Sequence, residues 1–278
     1  MAEIIKGEGI KRTHIKSNLM RESLVDKKLQ LSTETKEEVK IFPDLNIIKI
    51  GGQSIIDKGK VAVFPLLEEI VQAHKTQQIL IGVGGGVRER HTYEIGLDLG
   101  LPIGGLAMLG GAIPEQNALM LQVLLAKHNG IRIPKDHFEE LPMYLKVGTI
   151  PIIVGMPPYH YWEHIPVKGR LPSHGGDTGM YLISEVFSAK TMIFVKDVDG
   201  LYTDDPNKNP NAEFIPKISV QELIKLNLPD LPIERIILDI MLNARNSKKI
   251  HIINGLKKGN LLKAINGEEV GTIIYKEE

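Results

Sequence analysis

Twice near the start of this chain, an apolar strand-like run ends in glycines, and that order limits the fold more than any other feature. Leu45 to Ile50 is apolar and β-branched, Gly51-Gly52 follow, and Lys60 to His74 has a helical period. Gln78 to Val83 is a second such run, closed by Gly84-Gly85-Gly86. Strand, glycine turn and helix in alternation make βαβ units around a parallel sheet, with ligands outside the carboxyl ends of the strands. Further strands are predicted at Thr149 to Gly155, Thr191 to Val195, Ile250 to Ile253 and Val270 to Tyr275. Helices are predicted at Ile113 to Lys127 and at Asp177 to Phe187, with Asp177 near the N-cap. Pro65 implies that the first helix starts near it or kinks there. Ser219-Val220-Gln221-Glu222 has the order of a capping box opening another helix.

With 278 residues and 42% hydrophobic content, the chain can bury one large α/β core. Lys plus Arg and Asp plus Glu number 34 each, so no global basic field draws it to nucleic acid or an anionic membrane. No cysteine is present, which excludes disulfides and thiolate ligands and agrees with a reducing compartment. Any metal is therefore held by oxygen or imidazole. Neither a signal-peptide core nor a run of roughly 18 apolar residues occurs, and the expected location is cytoplasmic. Residues 1–40, rich in Lys, Glu, Ser and Thr, are expected to form a charged N-terminal extension, solvated or ordered against a neighbouring subunit. The folded domain is expected at 41–278.

Three segments carry the chemistry. Lys49-Ile50-Gly51-Gly52-Gln53 puts a cation before two residues without side chains, so backbone N–H groups can approach a polyphosphate while Lys49 neutralises it. It is neither a Walker A loop nor a G-x-G-x-x-G fingerprint. Gly84-Gly85-Gly86-Val87-Arg88 is a second anion loop, with Arg88 and Arg90 suited to oxyanions. Lys196 to Pro206 combines the turn pairs Asp199-Gly200 and Asp205-Pro206 with Tyr202, whose ring suits a base, and acids suited to a ribose or metal. Two anion loops on one sheet are the arrangement that phosphoryl transfer by positioning and electrostatics requires.

Lys49-x-Gly51-Gly52, the glycines at 84 to 86, Asp177, and Asp199-Gly200-Leu201-Tyr202-x-x-Asp205-Pro206 stand in the order found in the amino acid kinase superfamily, which includes bacterial UMP kinase. The resemblance covers about residues 41 to 278. It implies a three-layer α/β/α sandwich around a mainly parallel sheet, ATP with Mg²⁺ over the strand ends, and commonly a hexamer. Lys49 and Gly51-Gly52 would face the transferring phosphate, Asp177 would orient the lysine or the metal, and Lys196, Asp199, Gly200, Tyr202, Asp205 and Pro206 would flank the nucleotide. Mg²⁺ would fall to Asp177 or Asp199.

Within that superfamily, Lys49 to Ser54, Gly96 to Pro102, Glu115-Gln116-Asn117, Gly155-Met156-Pro157-Pro158-Tyr159-His160 and Asp177-Thr178-Gly179 resemble the molybdenum storage branch. This likeness implies ATP hydrolysis that loads molybdate or tungstate, condensed into polyoxometalate clusters inside a homo- or hetero-hexameric cage. Imidazoles suit that cargo, as metal ligands or as donors to its oxides. The loop from Met156 to Gly176 carries four prolines and three histidines, and loops of that length are usually functional or disordered. His160 and His164 are the leading cargo candidates, since a helical turn would put them on one face. His174, His128 and Glu115 follow, although His128 ends a predicted helix, where a cation is favoured anyway. His14, His74 and His251 are read as structural. Arg88-Glu89-Arg90 departs from the UMP-gripping pattern of UMP kinases, and the acceptor site is read as altered. UMP kinase activity and a non-catalytic nucleotide-binding role are the alternatives.

Overall fold

The computed structural model describes residues 2–7, 10–15, 38–155, 166, 168–206 and 208–277, and divides into the units Met1–Lys40 and Ile41–Glu278. In the first unit, β1 (Ala2–Gly7) and β2 (Ile10–Ile15) pair antiparallel, with Ala2 opposite Ile15 and Gly7 opposite Ile10. A hairpin stands where a solvated tail was one of the expectations. Its strands contain Ile4, Ile5, Ile10, Thr13 and Ile15, β-branched residues that suit a pleated strand.

The second unit begins with β3 (Leu45–Ile50), α1 (Lys60–His74), β4 (Gln78–Val83), α2 (Val87–Asp98), α3 (Ile103–Leu125), β5 (Gly130–Arg132), α4 (Leu141–Lys146) and β6 (Ile150–Val154). It continues with α5 (Gly176–Phe187), β7 (Thr191–Lys196), β8 (Leu201–Tyr202), β9 (Phe214–Ile215), β10 (Lys217–Ser219), α6 (Val220–Leu226), α7 (Ile236–Asn243), β11 (Lys249–Asn254), α8 (Asn260–Ile265) and β12 (Thr272–Tyr275). The central sheet has eight strands in the order β10-β12-β11-β7-β3-β4-β6-β5. Only β11 with β12 is antiparallel in it. Strands β8 and β9 form a separate hairpin.

Burial on both faces explains the nearly unbroken apolar strands. Along β3, Leu45 and Ile47 join one core and Ile48 and Ile50 the other, and along β7 Phe194 and Ile193 divide in the same way. The first core packs against α4, α5, α6 and α7, and the second against α1, α3 and α8. Two helical layers thus cover one sheet, the expected three-layer sandwich. Among the described residues no helix is long and apolar enough to cross a membrane.

Local signals specify structure where their partners are close in sequence. Ser219 Oγ accepts from Glu222 N at 3.2 Å and Glu222 Oε2 accepts from Ser219 N at 3.4 Å, the capping box predicted for α6. Helix α1 instead runs through Pro65 and begins at Lys60. Helix α3 begins at Ile103, well before the predicted Ile113. Glycines on both helices serve packing: a Cβ on Gly110 of α3 would lie 2.2 Å from the Tyr93 hydroxyl, and one on Gly96 of α2 would lie 2.6 Å from Leu106. Those glycines let α2 and α3 approach closely.

His251 on β11 is 1% exposed, and neither ring nitrogen has a hydrogen-bond partner. Burial, with Lys249 adding to it, pushes its pKa down to about 4. A histidine held neutral in this way stabilises the fold fully above its unfolded value near 6.5, and that stability is lost as pH falls from there through about 4. Between pH 7 and pH 4.5 the wild type is expected to lose about 2 kcal/mol more than His251→Leu, each value taken from urea unfolding curves. Parallel pH dependence of the two proteins would refute the assignment.

Candidate functional site

Strand alternation places the two lysines of the site on one face of the sheet, Lys196 two residues beyond Phe194, the register partner of Lys49. Lys49 follows Leu45 and Ile47 on one face of β3, and Lys196 follows Met192 and Phe194 on the same face of the adjacent parallel strand β7. Helix α5 crosses that face, anchored by buried Met180 and Tyr181, and its first turn sets Asp177 between the lysines. Asp177 Oδ1 meets Lys49 Nζ at 2.8 Å and Oδ2 meets Lys196 Nζ at 2.7 Å. Lys49 and Asp177 are only 4% and 6% exposed. Burial would raise the Asp177 pKa, but Lys196 and Lys49 outweigh it and hold the carboxyl well below its usual range. Burial likewise opposes charge on Lys49, yet Asp177, with Glu234 and Glu89 beyond it, keeps the ammonium above its ordinary value.

The N-terminus of α5 is capped by Glu234, a residue the sequence did not single out. Glu234 accepts from the backbone N–H groups of Gly175 at 2.7 Å, Asp177 at 3.1 Å and Thr178 at 3.1 Å, and from the Thr178 hydroxyl. The helix end that favours an anion is thus filled by the protein's own carboxylate. No local spacing announces this cap, because Glu234 arrives from the segment before α7.

The two glycine loops lie back to back. A Cβ on Gly52 would be 2.2 Å from Gly86 N and 2.9 Å from Gly84 C, and one on Gly84 would be 3.1 Å from Lys49 Nζ. Their amides are not all available to an anion. Gly51 N donates to Val195 O at 3.0 Å, Gly84 N to Ile50 O at 3.1 Å, and Gly85 N to Glu89 Oε2 at 3.2 Å. Asn117 Nδ2 holds the loop from α3 by donating to Gly84 O at 2.6 Å, and Asp57 Oδ2 caps Val87 N at 2.7 Å. Neither Asn117 nor Asp57 carries a sequence signal for this role.

A cavity of about 890 Å³ opens over these strand ends. It brings together Lys49, Gly51, Gly52, Gln53, Gly84, Gly85, Gly86, Asp177, Lys196, Gly200, Tyr202, Asp205, Pro206 and His174 from the sequence candidates. Tyr202 packs edge-on against Phe214, its partner across the β8–β9 hairpin, with ring centroids 5.4 Å apart. Glu89, Arg90, Tyr93 and Glu234 also line the cavity.

Other candidates lie elsewhere. Arg88 was expected at the anion loop, but α2 starts at Val87 and each helical residue turns by about 100°. Its guanidinium therefore meets α3, donating to Gln116 Oε1 at 3.0 Å and to Asn117 Oδ1. Asp199 was expected beside the nucleotide; it accepts from Lys257 Nζ at 2.7 Å and Asn254 Nδ2 at 3.0 Å and does not line the cavity. The Lys257 bond, with Asn254, holds its carboxyl below the usual range. Glu115 pairs with Arg132 at 2.6 Å, and His128 lines a separate apolar groove of about 480 Å³ with Phe64 and Leu124. His160 and His164 lie outside the described residues. Asp177 and Asp199, the candidates for Mg²⁺, are both engaged by lysine, and among the described residues no three His, Asp or Glu side chains group as a metal site.

A parallel α/β sandwich with lysines and glycine loops at the strand ends is an architecture suited to an anionic ligand. The sequence pattern of the amino acid kinase family matches residues 44–254, and the chain belongs to that family. It is 44% identical to the molybdenum storage protein subunit beta of Azotobacter vinelandii, over 92% of this chain and 95% of that protein. Uridylate kinases are more distant relatives. The enzyme of Methanobrevibacter smithii is 28% identical over 83% of this chain and 99% of its own length. Among solved structures, UMP kinase from Ureaplasma parvum superposes with a TM-score of 0.66 at 22% identity, covering 84% of this chain and 99% of that one. That likeness concerns the fold.

Proposed function

We propose that this protein stores molybdate or tungstate as polyoxometalate clusters inside an oligomeric cage and uses ATP hydrolysis to load them. The observation that carries this reading is the 44% identity, across nearly the whole of both chains, to a protein named for molybdenum storage. The name of that relative, a subunit, supports assembly with a related or identical chain, and a hexamer is the form proposed.

The cavity chemistry agrees with a nucleotide substrate. Tyr202, with Phe214 behind it, offers a face for a base on the β7 side, while Lys49 and Lys196 supply positive charge at the strand ends. The ammoniums of Lys49 and Lys196, held by Asp177, can stabilise a developing phosphate anion in a site of low dielectric. Mg²⁺ would arrive on the phosphate oxygens of the nucleotide, since the described side chains form no cage for it. Arg90 is the cavity arginine suited to guiding oxoanions. His160 and His164 are the cargo contacts proposed first, and residues 1–40 an extension of the 41–278 domain.

Purified protein incubated with Mg-ATP and molybdate or tungstate, then desalted, is expected to retain many metal atoms per chain by mass spectrometry. ATP hydrolysis is expected to depend on the oxoanion and not on UMP. ADP formation that requires UMP would establish a nucleoside monophosphate kinase instead. ATP bound under every condition and never hydrolysed, without metal retention, would establish a nucleotide-binding protein.

A further inference from the structure

Of the three carboxylates whose charges act on Lys49, namely Asp177, Glu234 and Glu89, the last stands apart by its bonding. Asp177 has each oxygen against a lysine, and Glu234 is taken up by the α5 N-terminus. Glu89 accepts one bond, from Gly85 N to Oε2 at 3.2 Å, so its second oxygen has no partner among the described residues. The first turn of α2 holds it in place: Gly86, with φ 76°, and the Asp57 cap on Val87 aim the helix start at the anion loop. Its side chain also lies over Gly85, where an added Cβ would be 2.4 Å from Oε2.

The sheet order gives this carboxylate its side. Strand β3 carries Lys49 and lies between β7 and β4. The exit of β7 leads to Tyr202, and the exit of β4 leads to Glu89. A nucleotide whose base sits by Tyr202 directs its terminal phosphate past Lys49 toward the β4 side. There an acceptor would have to approach, and a carboxylate repels a phosphorylated acceptor while it attracts the protons of water.

We infer that Glu89 is the general base that activates water for ATP hydrolysis in this cavity. This rests on the ATP-hydrolysing reading proposed above. As the water oxygen bonds to the γ-phosphorus, the bond from phosphorus to the β,γ-bridging oxygen breaks and its electron pair stays on ADP. The water proton passes to the free oxygen of Glu89, and inorganic phosphate leaves. Burial raises the Glu89 pKa above the usual carboxylate range, with Glu234 adding to it, while Lys49, the Gly85 N–H and Arg90 oppose it. A base raised in this direction lies closer to working pH and takes a proton more readily.

Glu89→Gln tests the inference, because the glutamine carbonyl can still accept from Gly85 N–H while the base is gone. With Mg-ATP and molybdate, kcat is expected to fall about 100-fold or more while the KM for ATP stays within about twofold. Wild-type kcat is expected to decline as falling pH protonates Glu89, and that acid limb should vanish in the variant. A Glu89→Gln protein with near-normal kcat, or one that loses ATP affinity instead of kcat, would overturn the assignment. If that variant does not fold, the wild-type profile decides, and a kcat without an acid limb refutes the role. Wild type that hydrolyses no ATP would sink the loading reading itself, together with Glu89, before any variant is made.

Discussion

Asp177→Ala is expected to lower unfolding stability by about 3–5 kcal/mol and to abolish nucleotide turnover, the cost found when one partner of a buried ion pair is removed. The reason lies in what remains. Lys49, 4% exposed, and Lys196 would face each other across the space the carboxylate had occupied. Lys49→Met is expected to cost less stability, because Asp177 keeps its 2.7 Å contact with Lys196, and yet to eliminate turnover. Urea unfolding of both variants, read beside an ATPase assay, separates the two effects. A loss below about 1 kcal/mol in Asp177→Ala would mean the triad is not the anchor of this region. The same triad sets an acid limit. The folded-state pKa of Asp177 is depressed, so its contribution is complete above the unfolded carboxylate value and is lost as pH falls below it.

Gly52→Ala is expected to remove ATP binding, with affinity falling at least about 100-fold, because the added carbon meets backbone that cannot rotate away. Its nearest neighbours are Gly86 N at 2.2 Å, Gly86 Cα at 2.7 Å and Gly84 C at 2.9 Å. Relief requires the two loops to separate, which moves Lys49 relative to the glycine run and disturbs the Gly84 N bond to Ile50 O. An overpacking cost of about 1–3 kcal/mol in stability should accompany the lost affinity. Calorimetric ATP titration and thermal unfolding of the variant check both, and wild-type affinity would show that the loops are not packed as described. Gly59 provides the control, since among the described residues nothing beyond its chain neighbours lies within 4 Å of its added carbon, and its φ of 66° is what disfavours alanine.

Much of the fold was legible because its determinants are local. Apolar runs with helical segments between them announced a parallel sheet, and the Ser219–Glu222 box works within one helical turn. The start of α3 was not legible: it begins at Ile103 and not at Ile113, and what fixes its first turns is close packing against α2, where Gly110 admits Tyr93 and Gly96 admits Leu106. Lys49, Gly52 and Tyr202 were found in the same way as the strands, by following what stands at the end of each apolar run.

The sequence by itself thus determined the layers, the strand ends where the site lies and the residue types available there, since these depend on periodicities of two and 3.6 residues and on turn chemistry. Only the tertiary structure decided which charges meet. Register on adjacent strands set Lys49 and Lys196 on one face, the crossing of α5 put Asp177 between them, and a distant segment brought Glu234 to cap that helix. The phase of α2 turned Arg88 toward α3 and Glu89 into the cavity, and the turn after β7 gave Asp199 to Lys257. Such pairings depend on side-chain direction and on distances closed by folding, which no spacing along the chain specifies.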